Sequence, residues 1–265
     1  MARIYPICSS STANCTFIGT KGHGILIDDG CSFASLKNSL SLIDTEMNHI
    51  EAIFITHEHI DHVKGLSVLA KHCKIPVFAS PGTIEALMSN SRNPLPENIR
   101  IYDIFKEGYK SAEFEVTAFH TPHDTPESVG YVVRYNDIKI AVCTDIGTIT
   151  EEVEKNLLGC NAVLLESNYD PDMLRRNTDY SAALKRRIAS ENGHLSNSDA
   201  AQFAEKLVNS GTTRLILGHL SRENNTPNTA FSATCSYLQR KGMKHGSDFT
   251  LDIAPIITEG QYIAL

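Results

Sequence analysis

The feature that most restricts the fold is an alternation of strand-like and helix-like segments. Ten short runs, RIYPIC, NCTFIG, GILIDD, AIFIT, PVFAS, FEVTAF, VGYVVRY, IKIAVCTD, NAVLLES and RLILGH, are rich in β-branched or aromatic residues and are bounded by turn formers, so each reads as a strand. Between them the apolar spacing predicts helices over 33–43, 63–73, 82–89, 150–158, 180–190, 197–209 and 228–241. The helix at 197–209 has the clearest punctuation: Asn197 or Ser198 as its cap, Ala201, Phe203, Ala204, Leu207 and Val208 on one face, and Gly211 just past its end. Strands alternating with helices imply an α/β fold. The composition, 42% hydrophobic and 21% charged over 265 residues, supplies enough apolar material for a large core. No Pro, Gly or Ser linker marks a boundary, and SNSRNPLPEN at 89–98 reads as a surface excursion. Residues 1–265 are therefore expected to form a single domain built on two sheets.

A formal charge of −7 argues against coating nucleic acid by bulk electrostatics, while leaving room for a local basic patch. The seven cysteines, at 8, 15, 31, 73, 143, 160 and 235, are odd in number and contain no C-x-x-C pair. Neither a disulfide framework nor a cysteine-rich zinc motif is indicated, which points to reduced thiols and a cytoplasmic location. The segment MARIYPICSSST has no long apolar core, and no run approaches the length of a membrane span. A soluble protein without a membrane partner is expected.

The chemistry concentrates in FITHEHIDHVKG, residues 54–65. The strand AIFIT ends at Thr56 and the next helix is expected near Val63, so His57, Glu58, His59, Ile60, Asp61 and His62 occupy the turn between them, where sites gather. On extended backbone His57 and His59 aim to one side and Glu58 to the other. Asp61 and His62 enter from the helix start. Imidazole and carboxylate in this proportion suit zinc, manganese or iron. Four donors from one segment exceed what a single tetrahedral ion with an open position needs, so two divalent ions are the economical reading.

This H-x-H-x-D-H motif resembles the signature of the metallo-β-lactamase fold superfamily. The resemblance implies a four-layer αββα sandwich, and it implies further ligands in a fixed order: His123 in FHTPHDTPESVGY, Asp145 in IAVCTDIG and His219 in LILGHLSREN. His120 competes with His123, and the spacing onward to GYVV together with the neighbouring Asp124 favours His123. The implied division gives His57, His59 and His123 to one ion, Asp61, His62 and His219 to the other, with Asp145 bridging. Two ions about 3.5 to 4 Å apart lower the pKa of a shared water from about 15.7 toward 7, so a metal-bridging hydroxide is the implied nucleophile. Asp61 is the natural group to orient it and take its proton. Histidines 23, 49, 72 and 245 lie in no such setting and read as surface or packing residues.

Fold does not give substrate. The segments LLESNYD, LKRRIASENGHLSNSDAAQFA and LILGHLSRENNTP resemble the YycJ (WalJ) branch, relatives of ribonuclease Z, and that resemblance implies a DNA exonuclease. Tyr169 stands where the branch pattern has histidine. Cleaving a phosphodiester expels an alkoxide that must be protonated, so an acid apart from the metals is useful. His194, in SENGHLSNSD, is the candidate, with Glu166 at the end of NAVLLE to orient it as the ribonuclease Z resemblance implies. Their structural alternatives are a helix cap and a buried carboxylate, while Ser196 and Asn197 read as caps before they read as phosphate donors. Arg175, Arg176, Lys185, Arg186 and Arg187 against Asp170, Asp172 and Asp179 make a net positive segment, suited equally to a phosphate backbone and to a solvated helix face. With no Trp and most Phe and Tyr in strand runs, stacking platforms for base recognition are not evident. The expected function is a dinuclear phosphodiesterase acting on nucleic acid, DNA first. The alternatives are a hydrolase of a small ester, thioester or lactam with the same ligands, and a metal protein without catalysis.

Overall fold

All ten expected runs form strands in the computed structural model, which describes residues 1–265. The strands are β1 (Arg3–Ser10), β2 (Ala13–Gly19), β3 (Gly24–Ile27), β4 (Ile50–Phe54), β5 (Val77–Ala79), β6 (Ile101–Asp103) and β7 (Tyr109–Lys110), followed by β8 (Phe114–His120), β9 (Val129–Tyr135), β10 (Ile138–Cys143), β11 (Ala162–Glu166), β12 (Arg214–Gly218), β13 (Thr250–Ile253) and β14 (Ile263–Ala264). The chain resolves into two compact units. One comprises Met1–Ala118, Thr125–Val129 and Pro255–Leu265, and the other Phe119–Asp124 and Gly130–Ala254.

In the first unit the sheet order is β14-β1-β2-β3-β4-β5-β6. The pairs β1–β2 and β2–β3 are antiparallel, whereas β3, β4, β5 and β6 run parallel. Helices Phe33–Ser41, Leu66–His72 and Pro81–Ser89 set Leu36, Leu40, Leu66, Leu69 and Leu87 into one core with Phe17, Leu26 and Ile53 of the strands. In the second unit β9 pairs antiparallel with β10, and β10, β11, β12 and β13 follow in parallel. Helices Glu151–Leu157, Asn197–Asn209 and Pro227–Arg240 contribute Val153, Leu157, Phe203, Leu207, Ala230 and Leu238 to its core, against Val163, Leu165, Leu215 and Leu217. Each is thus a mixed sheet covered by helices, and in each the parallel strands bring their carboxyl ends to one edge, where α/β sheets place their sites.

Four differences from the sequence expectation are visible. The unforeseen strands β6, β7, β13 and β14 are two to four residues long and only partly buried, so they carry no apolar run to mark them. The expected helix 63–73 is broken into Ile60–Val63 and Leu66–His72. At the break, a Cβ on Gly65 would collide with the Cys31 carbonyl, so the chain passes there only as glycine. The helix at Asn197–Asn209 is capped by Ser196, whose Oγ accepts from the Asp199 amide, one residue ahead of the earliest cap expected. A short helix, Pro171–Arg176, was also missed although Asp170 caps it and Pro171 opens it. No helix is long and apolar enough to cross a membrane.

Candidate metal centre

The motif turn leaves β4 at its carboxyl end, and its side chains are held from behind by Asp28, the residue after β3. Asp28 sits in left-handed backbone (φ 61°), a conformation that favours glycine and persists for an aspartate only where the surroundings demand it. Its Oδ1 accepts from the Thr56 amide at 2.8 Å and its Oδ2 from the Thr56 hydroxyl at 2.9 Å. The same Oδ2 lies 2.8 Å from His62 Nδ1. Thr56 Oγ1 in turn meets His57 Nδ1 at 3.0 Å. Since the Thr56 proton goes to Asp28, the His57 ring is the donor in that contact. Both imidazoles therefore carry their proton on Nδ1 and offer Nε2 as a lone pair, the arrangement by which proteins orient metal-binding histidines.

The rings of His57 and His59 lie edge to face with centroids 4.6 Å apart, so the two project to one side as the i, i+2 spacing required. His57 and His62 are closer still, at 4.1 Å. Asp61, at the start of the short helix Ile60–Val63, lies 3.3 Å from His62 Nε2. Asn14 Nδ2 reaches both, at 3.1 Å from Asp61 Oδ2 and 3.1 Å from His62 Nε2. Gly30 makes the turn possible from beneath: a Cβ there would run into the Asp61 carbonyl. His57 and His62 are fully buried, and burial pushes the Asp28 carboxyl above its ordinary range against the pull of His62 and the two Thr56 donors.

In the second unit the donors come from separate strand ends and converge on one carboxylate. Glu166, the last residue of β11 and fully buried, accepts through Oε1 from His194 Nδ1 and from His219 Nδ1, each at 2.8 Å. Its Oε2 accepts from the amides of Ile146 at 2.8 Å and Leu195 at 3.1 Å. Asp145 follows β10 with φ 57° and His219 follows β12 with φ 55°, both left-handed like Asp28. Asp145 Oδ1 is 3.5 Å from His219 Nδ1, 3.6 Å from His123 Nε2 and 3.8 Å from His194 Nδ1. His123 is fixed through Nδ1 to the Gly193 carbonyl at 3.1 Å. Asp145, Glu166, His194 and His219 place a ligand atom apiece within 4.8 Å of one another.

These distances set the charges. Burial opposes charge on Glu166, yet His194 and His219 hold it below the usual carboxylate range. Burial likewise opposes charge on His194, but the Glu166 carboxylate beside it raises its pKa above 6.5. Burial lowers the pKa of His123 and keeps it neutral, the form in which imidazole binds a metal.

Within the first unit, then, His57, His59, Asp61 and His62 come together, and within the second His123, Asp145, Glu166, His194 and His219. The other histidines are elsewhere occupied: His120 pairs with Glu152 at the surface, His23 with Glu51, His49 caps a short turn at Glu46, His72 stacks on Phe33 and His245 packs between Phe231 and Phe249. Part of the basic segment is spoken for, since Arg175 pairs with Asp172 and Arg187 with Asp124. Asp28, Thr56 and Asn14 were not foreseen. An acid ending the run GILIDD was the available signal for Asp28, and Asn14 gave none.

A profile of the beta-lactamase superfamily domain matches residues 23–220, a stretch that holds every expected ligand. The chain belongs to the β-lactamase superfamily. It is 32% identical over 259 residues to the exodeoxyribonuclease YycJ of Bacillus anthracis, covering 97% of each chain, and 30% identical over 252 residues to the exodeoxyribonuclease WalJ of Streptococcus pneumoniae, covering 94% of this chain and 93% of that one. Among solved structures it superposes on the metallo-β-lactamase fold protein YhfI of Bacillus subtilis with a TM-score of 0.69 at 12% identity, over 97% of this chain and 98% of that one. The fold is therefore that of the metallo-β-lactamase superfamily, and the protein is a metal-dependent hydrolase. The donor set fits the group the family implies. His57, His62, His123 and His219 are each anchored through Nδ1, which leaves four Nε2 atoms, together with carboxylates of Asp61 and Asp145, as ligand atoms.

Proposed function

We propose that the protein is a dinuclear metal-dependent phosphodiesterase that acts as a DNA exonuclease, with residues 1–265 working as one domain in the cytoplasm. His57, His59 and His123 would hold one ion and Asp61, His62 and His219 the other, with Asp145 as the seventh ligand. Zinc, manganese and iron all suit this mixture of imidazole and carboxylate. Bound there, the ions supply an activated water and neutralise charge developing on the phosphate. Asp61 would accept the proton of the attacking water. His194, held through Nδ1 by Glu166, keeps its Nε2 proton for the oxygen of the departing nucleotide.

The observation that carries this reading is the His194–Glu166 contact at 2.8 Å. It provides an oriented imidazole whose protonation the Glu166 carboxylate favours, apart from the seven proposed metal donors, which a phosphodiester with a poor leaving group needs and an activated ester does not. The names of the full-length relatives support DNA as the polymer. Incubating the metal-loaded protein with end-labelled DNA and RNA, beside a β-lactam, a thioester and a lactone, tests it. Progressive release of nucleotides from DNA ends is the expected result. Turnover of a small ester with no release from either polymer would replace the nuclease reading with that of a small-molecule hydrolase.

A further inference from the structure

A second cluster of soft donors lies behind the motif turn, within the first unit and made of residues that the proposed catalysis does not use. Cys8 on β1 and Cys15 on β2 are cross-strand partners just past the irregularity in the β1–β2 ladder. Cys31 lies four residues beyond the end of β3, two after Asp29. One ligand atom each from Cys15, Asp29 and Cys31 falls within 4.8 Å of the others, close to the spread a tetrahedral ion requires. The nearness of the Cys15 and Cys8 thiols holds Cys31 below the ordinary thiol range. Three ligand atoms, two of sulfur and one of oxygen, therefore meet in one place, with Cys8 the cross-strand neighbour of Cys15.

Asp29 is the independent observation. It is 0% exposed, and neither carboxylate oxygen has a hydrogen-bond partner. Its backbone is fully used, the amide donating to the His62 carbonyl and the carbonyl accepting from the Gly65 amide, both at 2.8 Å. Only glycine fits at 65, because a Cβ there would stand 2.7 Å from Asp29 Oδ2 and 2.8 Å from Oδ1. Burial, the Cys31 thiol and Asp28 all push the Asp29 carboxyl above its ordinary range. A buried carboxyl in apolar surroundings is costly whether charged or neutral unless something answers it. Nothing in the protein does. The adjoining thiols say what would: soft sulfur and one hard oxygen together select a thiophilic divalent cation.

We propose that Cys15, Cys31 and Asp29, completed by Cys8, bind a structural zinc ion distinct from the catalytic pair. Binding releases the thiol protons to solvent and leaves thiolates on the metal. Because Asp29 is tied by its backbone to His62 and Gly65, the ion braces the motif turn from the side opposite its histidines.

Cobalt distinguishes this site from the catalytic one, since no proposed catalytic ligand is sulfur and only thiolates give an intense near-ultraviolet charge-transfer band with Co²⁺. The cobalt-loaded full chain is expected to show that band at about one equivalent, to keep it in Asp145→Ala and Cys143→Ser, and to lose it in Cys31→Ser. Zinc-edge X-ray absorption on the wild-type protein, which depends on no variant folding, is expected to show sulfur neighbours at about 2.3 Å. An absorption spectrum with nitrogen and oxygen neighbours only, or a charge-transfer band that survives in folded Cys31→Ser, would overturn the proposal and leave the cluster as packed thiols around a protonated carboxyl.

Discussion

The two donor groups are built in opposite ways. In the first unit four donors come from six consecutive residues, and one aspartate from the neighbouring strand end, Asp28, fixes the tautomer of His62 directly and that of His57 through Thr56. In the second unit five side chains arrive from separate segments spread over nearly a hundred residues, and Glu166 holds two of them with a single oxygen. The first arrangement is local and redundant, since Thr56 and Asn14 add contacts to the same rings. The second depends on strand register: β10, β11 and β12 must end level for Asp145, Glu166 and His219 to meet. A motif can be conserved by a loop, whereas a convergence needs a whole sheet.

The sharpest way to break this comparison is to ask whether the two groups act as one centre. If they do, removing a donor from either should cost the same order. Asp61→Asn is expected to lower kcat by several orders of magnitude, because a ligand charge and the proton acceptor go together. Asp145→Ala should disturb both of the two ions and not only one, as counted by elemental analysis after reconstitution. Retention of one full equivalent of non-sulfur-bound metal with turnover intact in either variant would show that the halves work separately.

A smaller and more selective loss is expected at His194. General acid assistance is typically worth about 10²- to 10⁴-fold. His194→Ala should cut hydrolysis of DNA by about that factor, while bis(p-nitrophenyl) phosphate, whose leaving group departs unaided, changes little and metal content stays full. Equal losses on both substrates would mean that His194 serves geometry or binding instead.

The contrast between the two groups also explains what was legible beforehand. The turn at 57–62 was readable because donor type, spacing and the preceding strand all lie in one window, and the ten longer strands were readable because each is apolar enough to stand out. Asp145 and His219 were located by resemblance, not by local pattern; nothing near them shows that their backbones turn left-handed. Edge strands such as β6 and β14 were lost because half-exposed residues carry no periodic signal. Glu166 was expected to orient His194 and lies 2.8 Å from its Nδ1, but its second bond to His219 depends on the alignment of β11 with β12, which no single segment encodes. Asn14 lies nearly fifty residues from the side chains it supports and is legible only in three dimensions.

That second bond sharpens the expectations for the two supporting carboxylates. Replacing groups that anchor metal-bound histidines usually costs about 10- to 100-fold in metal affinity. Asp28→Asn and Glu166→Gln should both fall in that range by competition with a chelating dye, but only Glu166→Gln should also reproduce, in milder form, the substrate selectivity of His194→Ala. If Glu166→Gln alters selectivity with no change in metal affinity, then His219 is held well enough by Asn168, whose Nδ2 donates to its backbone carbonyl at 2.8 Å.

The least effect, and the most direct reading of the charges, should appear in the stability of the metal-free protein against pH. His194 is raised above its reference of 6.5, so its contribution is complete below 6.5 and is lost as pH rises through the folded value. Glu166 is lowered from 4.5, so its contribution is complete above 4.5 and is lost as pH falls through its folded value. The pair therefore stabilises the second unit most between those two reference values, and Glu166→Gln should lower the melting temperature more there than at pH 9. Asp28 has the opposite sign, since burial raises its pKa. Asp28→Asn should thus be tolerated better as pH rises, because the charge it removes is the one burial disfavours. Parallel pH profiles for the two variants would contradict the assignment of an ion pair to Glu166 and of a burial-dominated carboxyl to Asp28, and with it the electrical difference between the two donor groups.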